Sequence, residues 1–584
     1  VKKNILQQFP LKIKAKRAAL AERTDGVLGQ RLTVGLITFG LFIGSQIFKG
    51  HRLELIALFI GLPTYIYYIF RSRSFRRLDS KLQALDQFYS DRLALAEGRS
   101  LPTEPHESFP DSDLSRDLDL NEIFSHIDTS ITLQGQMALK EGLCGQSSEE
   151  YRQQKKNDIL LLGKYPGWLR KLNLQGLFLR QENDSPQNPT EKIDLDTIQT
   201  FLSRPITEGA PVWRWILIPL WIIAIASIFT SPVDIAKWLY FIYLGSTLYY
   251  IQTTAGSFSK IQELVNSFTG LMPILKMTQK KSGSWKDRFP KLCDQEPSRK
   301  LGKLKISLNL MSVQGNPILF FILNGLFPWS LFVREHAEKK RLNVAESFPS
   351  WSQEVADLDS SCALALFWYY QTRTFGEIGT SLSLSFKDLA HPLIADAQVI
   401  TNDFEQNQSS GFLITGSNMS GKSTFMRAIG INFCLARMGA PVFASQFKAP
   451  DCSIASCIRV SDSLRDGQSY FFAEVQRLKK VLDSANSEKI FFLIDEPLRG
   501  TNNKERFEGN TEYLQNLLKT GALGFLCTHD LEMTKLSETV EGITNYHFTD
   551  TWKDENLYFD YKIRSGPSRT TNALKILRKE GVIR

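Results

Sequence analysis

The sequence predicts two kinds of structure in one chain: an all-α region carrying charge-free helical hairpins, then an α/β domain with a largely parallel sheet. Three observations predict this. Uncharged apolar runs occupy residues 32–48, 55–70, 215–229 and 238–251. Around them, apolar residues recur with helical period. From about residue 411 onward, short β-type runs alternate with helices, the pattern of a parallel sheet. The averages conceal this segregation. A chain of 584 residues with 43% hydrophobic and 22% charged residues and a mean hydropathy of −0.18 resembles an ordinary soluble protein. Those values exclude a wholly disordered, collagen-like or many-span membrane chain.

The elements follow in order. Residues 1–30 read as a basic cytoplasmic N-terminus, with no small-residue cleavage site. Residues 31–71 read as a transmembrane hairpin, each run near the lower limit of about 17–25 residues. Lys12, Lys14, Lys16, Arg17 and Arg23 precede it, and Arg71, Arg73, Arg76 and Arg77 follow it. The positive-inside rule then places both ends in the cytoplasm. Residues 72–116 read as a charged helix (78–98) and a linker rich in Pro, Ser and acids. Residues 117–375 read as a helical core, with period running through 117–172 and a second transmembrane hairpin at about 213–251. Trp213, Trp215, Trp238, Tyr249 and Tyr250 edge that hairpin like an interfacial belt. A buried helical pair in a soluble domain is the plainer alternative for each hairpin. A third apolar stretch, 317–333, is interrupted by Asn324 and Pro328 and is expected to pack in the helical core, with a membrane span as the lesser alternative. Lys276, Lys280, Lys281, Lys286 and Arg288 surround Trp285, a patch that suits phosphate contact or a solvated face. Residues 376–584 form the α/β domain, in which 555–562 read as a native strand.

Charge and cysteines add bounds. Lys+Arg 70 against Asp+Glu 61 gives net +9, which suits nucleic acid or anionic lipid without choosing between them. The seven cysteines are dispersed, and Cys452 and Cys457 lack the further ligands of a zinc site. Reduced thiols and a cytosolic catalytic part are expected.

The chemistry concentrates in the α/β domain. The short strand GFLIT at 411–415 runs into Gly416, Ser417, Asn418, Met419, Ser420, Gly421, Lys422, Ser423 and Thr424. This is the phosphate-binding pattern G-x-x-x-x-G-K-[ST], whose glycines let backbone N–H groups wrap phosphates. From average composition, a chance match in a chain this long is on the order of 2%. Lys422 is expected to reach the β- and γ-phosphates of ATP, and Ser423 to ligate Mg²⁺. About 75 residues after the loop, KIFFLIDE ends a buried-type strand in two acids. Asp495 would hold the Mg²⁺ water shell, and Glu496 would polarise the attacking water. GFLCTH ends a further strand in His529, placed to bond the γ-phosphate or orient the water.

Taken in order, TGSNMSGKSTFMR, DGQSYFFAEVQRLKKVL, LIDEPLRGTN and CTHD resemble the ATPase domain of the MutS family of mismatch-repair proteins. The resemblance runs from about His391 to Gly581 and implies an ABC/MutS-like P-loop fold behind an all-α lever or core domain. It implies that Asn418 touches the γ-phosphate and that Ser469 is a signature serine reaching the opposite subunit's nucleotide. It places Arg499, Gly500 and Thr501 in a loop at the dimer interface. It further implies ATP hydrolysis by a homodimeric clamp on DNA. The first 110 residues show a hairpin rather than the family's Phe-x-Glu wedge, so mismatch reading is not expected to carry over. The expected location is the cell membrane, multi-pass, with the N-terminus and ATPase domain cytoplasmic. Two other functions compete: a membrane ABC-type ATPase, and a nucleotide-switched scaffold that does not act on DNA. Against transport, the runs lack the intramembrane charges that usually mark a conduit, and DGQSYFFAE stands where an LSGGQ-like signature would be.

Overall fold

The structure is a computed structural model. It describes residues 2–47, 56, 60–96, 112–145, 147–182, 192–206, 210–230, 232–254, 258–312, 317–371, 374–395, 397–406, 408, 410–417, 419–458, 470–553 and 556–568. Contacts divide the chain into two compact units. One holds residues 1–128, 139–166 and 363–584, and the other holds 129–138 and 167–362.

The first unit opens with two long helices, Lys2–Ile47 and Leu62–Ala96. Beyond Pro63, nothing in the second helix breaks it, since 64–96 contains no Pro or Gly. The charged helix expected at 78–98 is therefore one piece with the apolar run before it. The two helices pair through Arg17 and Asp79 (3.1 Å) and the stacked rings of Phe9 and Tyr89 (4.8 Å). At the far end Arg92 lies over the rings of Phe88 and Tyr370, 5.7 and 5.8 Å from their centroids. In contrast, Leu32, Leu36, Phe39 and Phe70 are all exposed.

The helical period across 117–172 resolves into short helices at Asp113–Asp117, Leu120–Ile127, Leu133–Cys144 and Glu149–Gly163, before Pro166–Glu182 begins. The breaks have local causes. Asp119 takes φ 51°, and Ser148 caps Glu149–Gly163 by accepting the Tyr151 N–H.

The α/β part is built on a six-stranded sheet: β1 Gly411–Thr415, β2 Ser453–Cys457, β3 Ile490–Asp495, β4 Leu523–Thr528, β5 Ile543–Lys553 and β6 Asn556–Ser565. Their spatial order is β6-β5-β1-β4-β3-β2. All neighbours are parallel except the hairpin β5–β6. β1, β3 and β4 are buried along their whole length, as near-continuous apolar strands covered on both faces must be. Helices α1 (Lys422–Arg437), α2 (Tyr470–Ser487) and α3 (Asn503–Lys519) accompany them. Phe433 of α1 stacks on Phe491 of β3 at 5.0 Å, and Phe404, Phe412 and Phe525 form an aromatic cluster. A smaller four-stranded sheet of Glu377–Gly379, Gln446–Pro450, Ser385–Leu389 and Asn402–Glu405 belongs to the same unit.

The second unit is helical. Asp359, fully buried, accepts the N–H groups of Ile131 and Thr132 and the Thr132 hydroxyl. Trp285 does not present itself to a ligand from within the basic patch. It is 1% exposed, packs edge-on to Trp168 at 4.8 Å, and carries Lys281 at 4.9 Å over its ring. Burying the indole and covering it with the lysine stem removes more apolar surface from water than stacking it outward would. Helices Ala210–Thr230 and Val233–Thr254 pack side by side. The stretch 317–333 folds as Pro317–Leu326 and the start of Trp329–Ala345, broken at Phe327–Pro328.

Candidate functional site

Parallel strands deliver their carboxyl ends to one edge of the sheet, and the singled-out residues collect there. After β1 the chain turns sharply through two glycines. Gly416 has φ 155°, and a Cβ there would sit 3.0 Å from the Phe548 carbonyl oxygen. Gly421 has φ 102°, and a Cβ there would lie 2.9 Å from the Tyr561 ring. No other residue type fits either position without displacing its neighbour. α1 starts at once, with Lys422 and Ser423 in its first turn.

Lys422 is buried, and its Nζ donates to the carbonyls of Gly416 (2.8 Å) and Ser417 (3.0 Å) while facing Glu496 Oε1 at 3.8 Å. The Ser423 hydroxyl donates to Asp495 Oδ2, and Asp495 Oδ1 is buried with no hydrogen-bond partner. Burial pushes the Asp495 carboxyl up; the Ser423 hydrogen bond opposes that, and the neighbouring Glu496 charge adds to it. Glu496 adopts φ 47°, and its N–H donates to Cys527 O at 2.8 Å, which locks the end of β3 to β4. Its Oε2 is held by Arg499 Nη2 at 2.7 Å and His529 Nδ1 at 3.1 Å. Lys422, Ser423, Asp495, Glu496, Arg499 and His529 thus form one cluster. Met419 and Thr424 line the same opening. The Ser417 and Ser420 hydroxyls are buried without hydrogen-bond partners. Gly500 passes so close to α2 that a Cβ there would meet Phe471 Cβ at 2.9 Å. Thr501 donates to Glu505, while Asn502 caps α3 by accepting the Glu505 N–H. Asn418 and Ser469 lie outside the described residues.

Two groups of residues escaped the sequence reading. Glu474 on α2, 2% exposed, accepts the Leu498 N–H at 3.0 Å, and Asn510 on α3 donates to Pro497 O at 3.2 Å. Together they hold the turn that aims Glu496 and Arg499, in which Leu498 has φ 60°. Burial pushes the Glu474 carboxyl up. No motif spacing announces these pairs. The second group walls a cavity of about 460 Å³ beside the loop, where His391, Ile394, Val399, Phe425 and Tyr561 face Lys422 and Ser423. The His391-Pro392 pair was the one available signal.

His391 accepts the Leu393 N–H on Nδ1, and burial, aided by Arg427, lowers its pKa from 6.5 to about 4. His126 is lowered to about 4 by burial and by Arg92. Both native rings stay neutral where unfolded rings take a proton. Their contribution is complete above about pH 6.5 and is lost as pH falls toward 4, at roughly 1.4 kcal/mol per pH unit for each ring. The urea midpoint of the solubilised protein should therefore drop across that window. The double variant His126→Gln/His391→Gln should flatten the drop, and an unchanged slope would refute the assignment.

A mainly parallel α/β sheet with a glycine-cornered loop, two acids and a histidine gathered at its carboxyl edge defines the class. The comparisons point to a family: residues 412–582 match the sequence profile of MutS domain V, so this C-terminal part of the chain is similar to the MutS family. The DNA mismatch repair protein MutS of Acetivibrio thermocellus is 30% identical over 241 residues, covering 40% of this chain and 27% of that protein. Its counterpart in Persephonella marina is 29% identical over 239 residues, with the same coverage. That of Chlorobium chlorochromatii is 30% identical over 280 residues, 42% of this chain and 31% of that protein. The chain thus spans less than a third of the length of these relatives.

Proposed function

We propose that the chain is an ATP-binding and ATP-hydrolysing MutS-type protein, anchored in a membrane by helical hairpins and acting as a homodimeric clamp on DNA. The convergence of Lys422, Ser423, Asp495, Glu496 and His529 carries this reading. Loop N–H groups and Lys422 would hold the nucleotide phosphates, and the apolar wall at Ile394, Val399 and Tyr561 suits a planar base. Ser423 and Asp495 fit Mg²⁺: both are hard oxygen donors, and Asp495 Oδ1 is a buried acceptor in want of a partner. The ion, when bound, supplies charge neutralisation at the transferred phosphoryl group. Glu496 is the group to accept the proton of the attacking water, and His529 holds its carboxylate from Oε2. Ser469, Arg499, Gly500 and Thr501 belong to the dimer interface in this reading.

Two helical segments, Phe9–Ile43 and Trp213–Thr230, are long and apolar enough to cross a membrane, and only 6% and 17% of an apolar 18-residue stretch in each is buried within the protein. The core helix of a soluble protein would be mostly buried. Basic residues at both ends of the first hairpin favour a cytoplasmic N-terminus and ATPase domain. The test uses the full chain in nanodiscs. Duplex DNA should stimulate ATP turnover, and DNA binding should fall by an order of magnitude or more between 50 and 200 mM salt. Turnover indifferent to DNA, with no salt-sensitive binding, would remove DNA from the reading. Release of the chain from native membranes by alkaline carbonate would remove the anchor.

A further inference from the structure

The stretch 317–333 touches helices Ala210–Thr230 and Val233–Thr254 at a particular height. The Tyr243 hydroxyl donates to Asn324 O at 2.8 Å, and the rings of Trp221 and Phe327 meet edge-on at 6.0 Å. Trp221 and Tyr243 lie within one residue of the midpoints of their helices, which have 21 and 22 residues. Helices of that length are about 32 Å long and just cover a hydrocarbon core of about 30 Å. If the pair spans, its midpoints lie at the bilayer centre, and so does whatever packs on them. Leu331 packs lower, with Leu217 and Tyr250, and Arg334 sits 5.3 Å over the Tyr250 ring, at the end that carries Trp213.

We propose that residues 317–333 are a re-entrant membrane element: two helical legs that enter the lipid bilayer from one face, meet at its midplane at 324–328, and return. This rests on the membrane reading of the pair 210–254. Four further observations support it. Helix Pro317–Leu326 has 10 residues, about 15 Å or half a bilayer. Residues 306–333 carry no charge, while Lys303 and Lys305 precede them and Arg334, Lys339 and Lys340 follow, so both flanks carry the cytoplasmic signature. Broken backbone is tolerated at membrane depth where protein groups satisfy it. Asn324, fully buried, does so: its side-chain oxygen accepts the Ser330 N–H at 3.0 Å, and its carbonyl accepts from Tyr243. Outward, Ile322 and Leu326 are 51% and 72% exposed, so lipid is their natural neighbour.

The test places an environment-sensitive fluorophore on one introduced cysteine at a time in the full chain, with the half-buried Cys144 and Cys293 changed to serine and the five buried native cysteines left in place. The liposomes contain lipids with a nitroxide at the acyl-chain end. Leu326→Cys, Ile322→Cys and the hairpin reference Phe241→Cys should be quenched alike, at least about fivefold more than Lys280→Cys, as midplane residues are. Quenching at 241 without quenching at 322 or 326 would overturn the re-entrant element and leave the hairpin standing. No quenching at any of the three would overturn the membrane reading itself.

Discussion

Glu496→Gln should leave ATP bound and nearly stop its turnover. The substitution keeps the shape of the side chain and an oxygen acceptor for Arg499 and His529, which hold Oε2 at 2.7 and 3.1 Å. It removes the ability to take a proton from water. A positioned general base contributes about 10²- to 10⁴-fold, and kcat should fall by that factor while the nucleotide Kd changes little. Lys422→Ala differs in kind. Its ammonium lies against the loop carbonyls and 3.8 Å from Glu496, so its loss should weaken nucleotide binding as well as turnover. Single-turnover hydrolysis alongside equilibrium binding of a labelled nucleotide separates the two. Wild-type turnover in Glu496→Gln would mean that another group activates the water.

Asp117→Ala should be among the most destabilising single changes outside the site. Asp117 is fully buried and accepts from the Ser456 hydroxyl (2.8 Å), the Ile458 N–H (3.0 Å) and Arg477. These contacts hold the end of β2 and the body of α2 to the helix Asp113–Asp117. Removing one partner of a buried ion pair costs about 3–5 kcal/mol, because the remaining charge stays desolvated. Asp113 is the built-in comparison: it pairs with Lys480 at 3.2 Å and Arg477 at 3.7 Å but is partly solvated. Asp113→Ala should cost no more than about 1 kcal/mol. Denaturant midpoints of the two variants check this, and equal losses would refute the burial argument.

Much of the site was legible because its chemistry is written in contiguous residues. A loop of fixed length between a strand and a helix must bring Lys422 and Ser423 to the strand end, since backbone geometry leaves no other path. Two acids closing an apolar run, and a histidine closing another, arrive at the same edge once the strands are parallel. Glu474, Asn510 and the wall around His391 and Tyr561 were not legible. Each acts through a partner far along the chain, such as Leu498 for Glu474 and Pro497 for Asn510. The burial of Trp285 was not legible for a related reason: the lysines mark a basic patch, and only packing on Trp168 leaves the indole within it 1% exposed.

By itself, the sequence determined the order of elements, the loop that wraps from β1 into α1, and the charge-free apolar runs. Those follow from local sterics, periodicity and the absence of charge, which are properties of neighbours in the chain. Only the tertiary structure decided that Glu496 is clasped by Arg499 and His529, that Asp117 anchors Arg477, and that the break at Phe327–Pro328 lies against the midpoints of two long helices. These depend on which distant surfaces are buried together, and burial sets both the strength of a charge pair and the depth of a side chain.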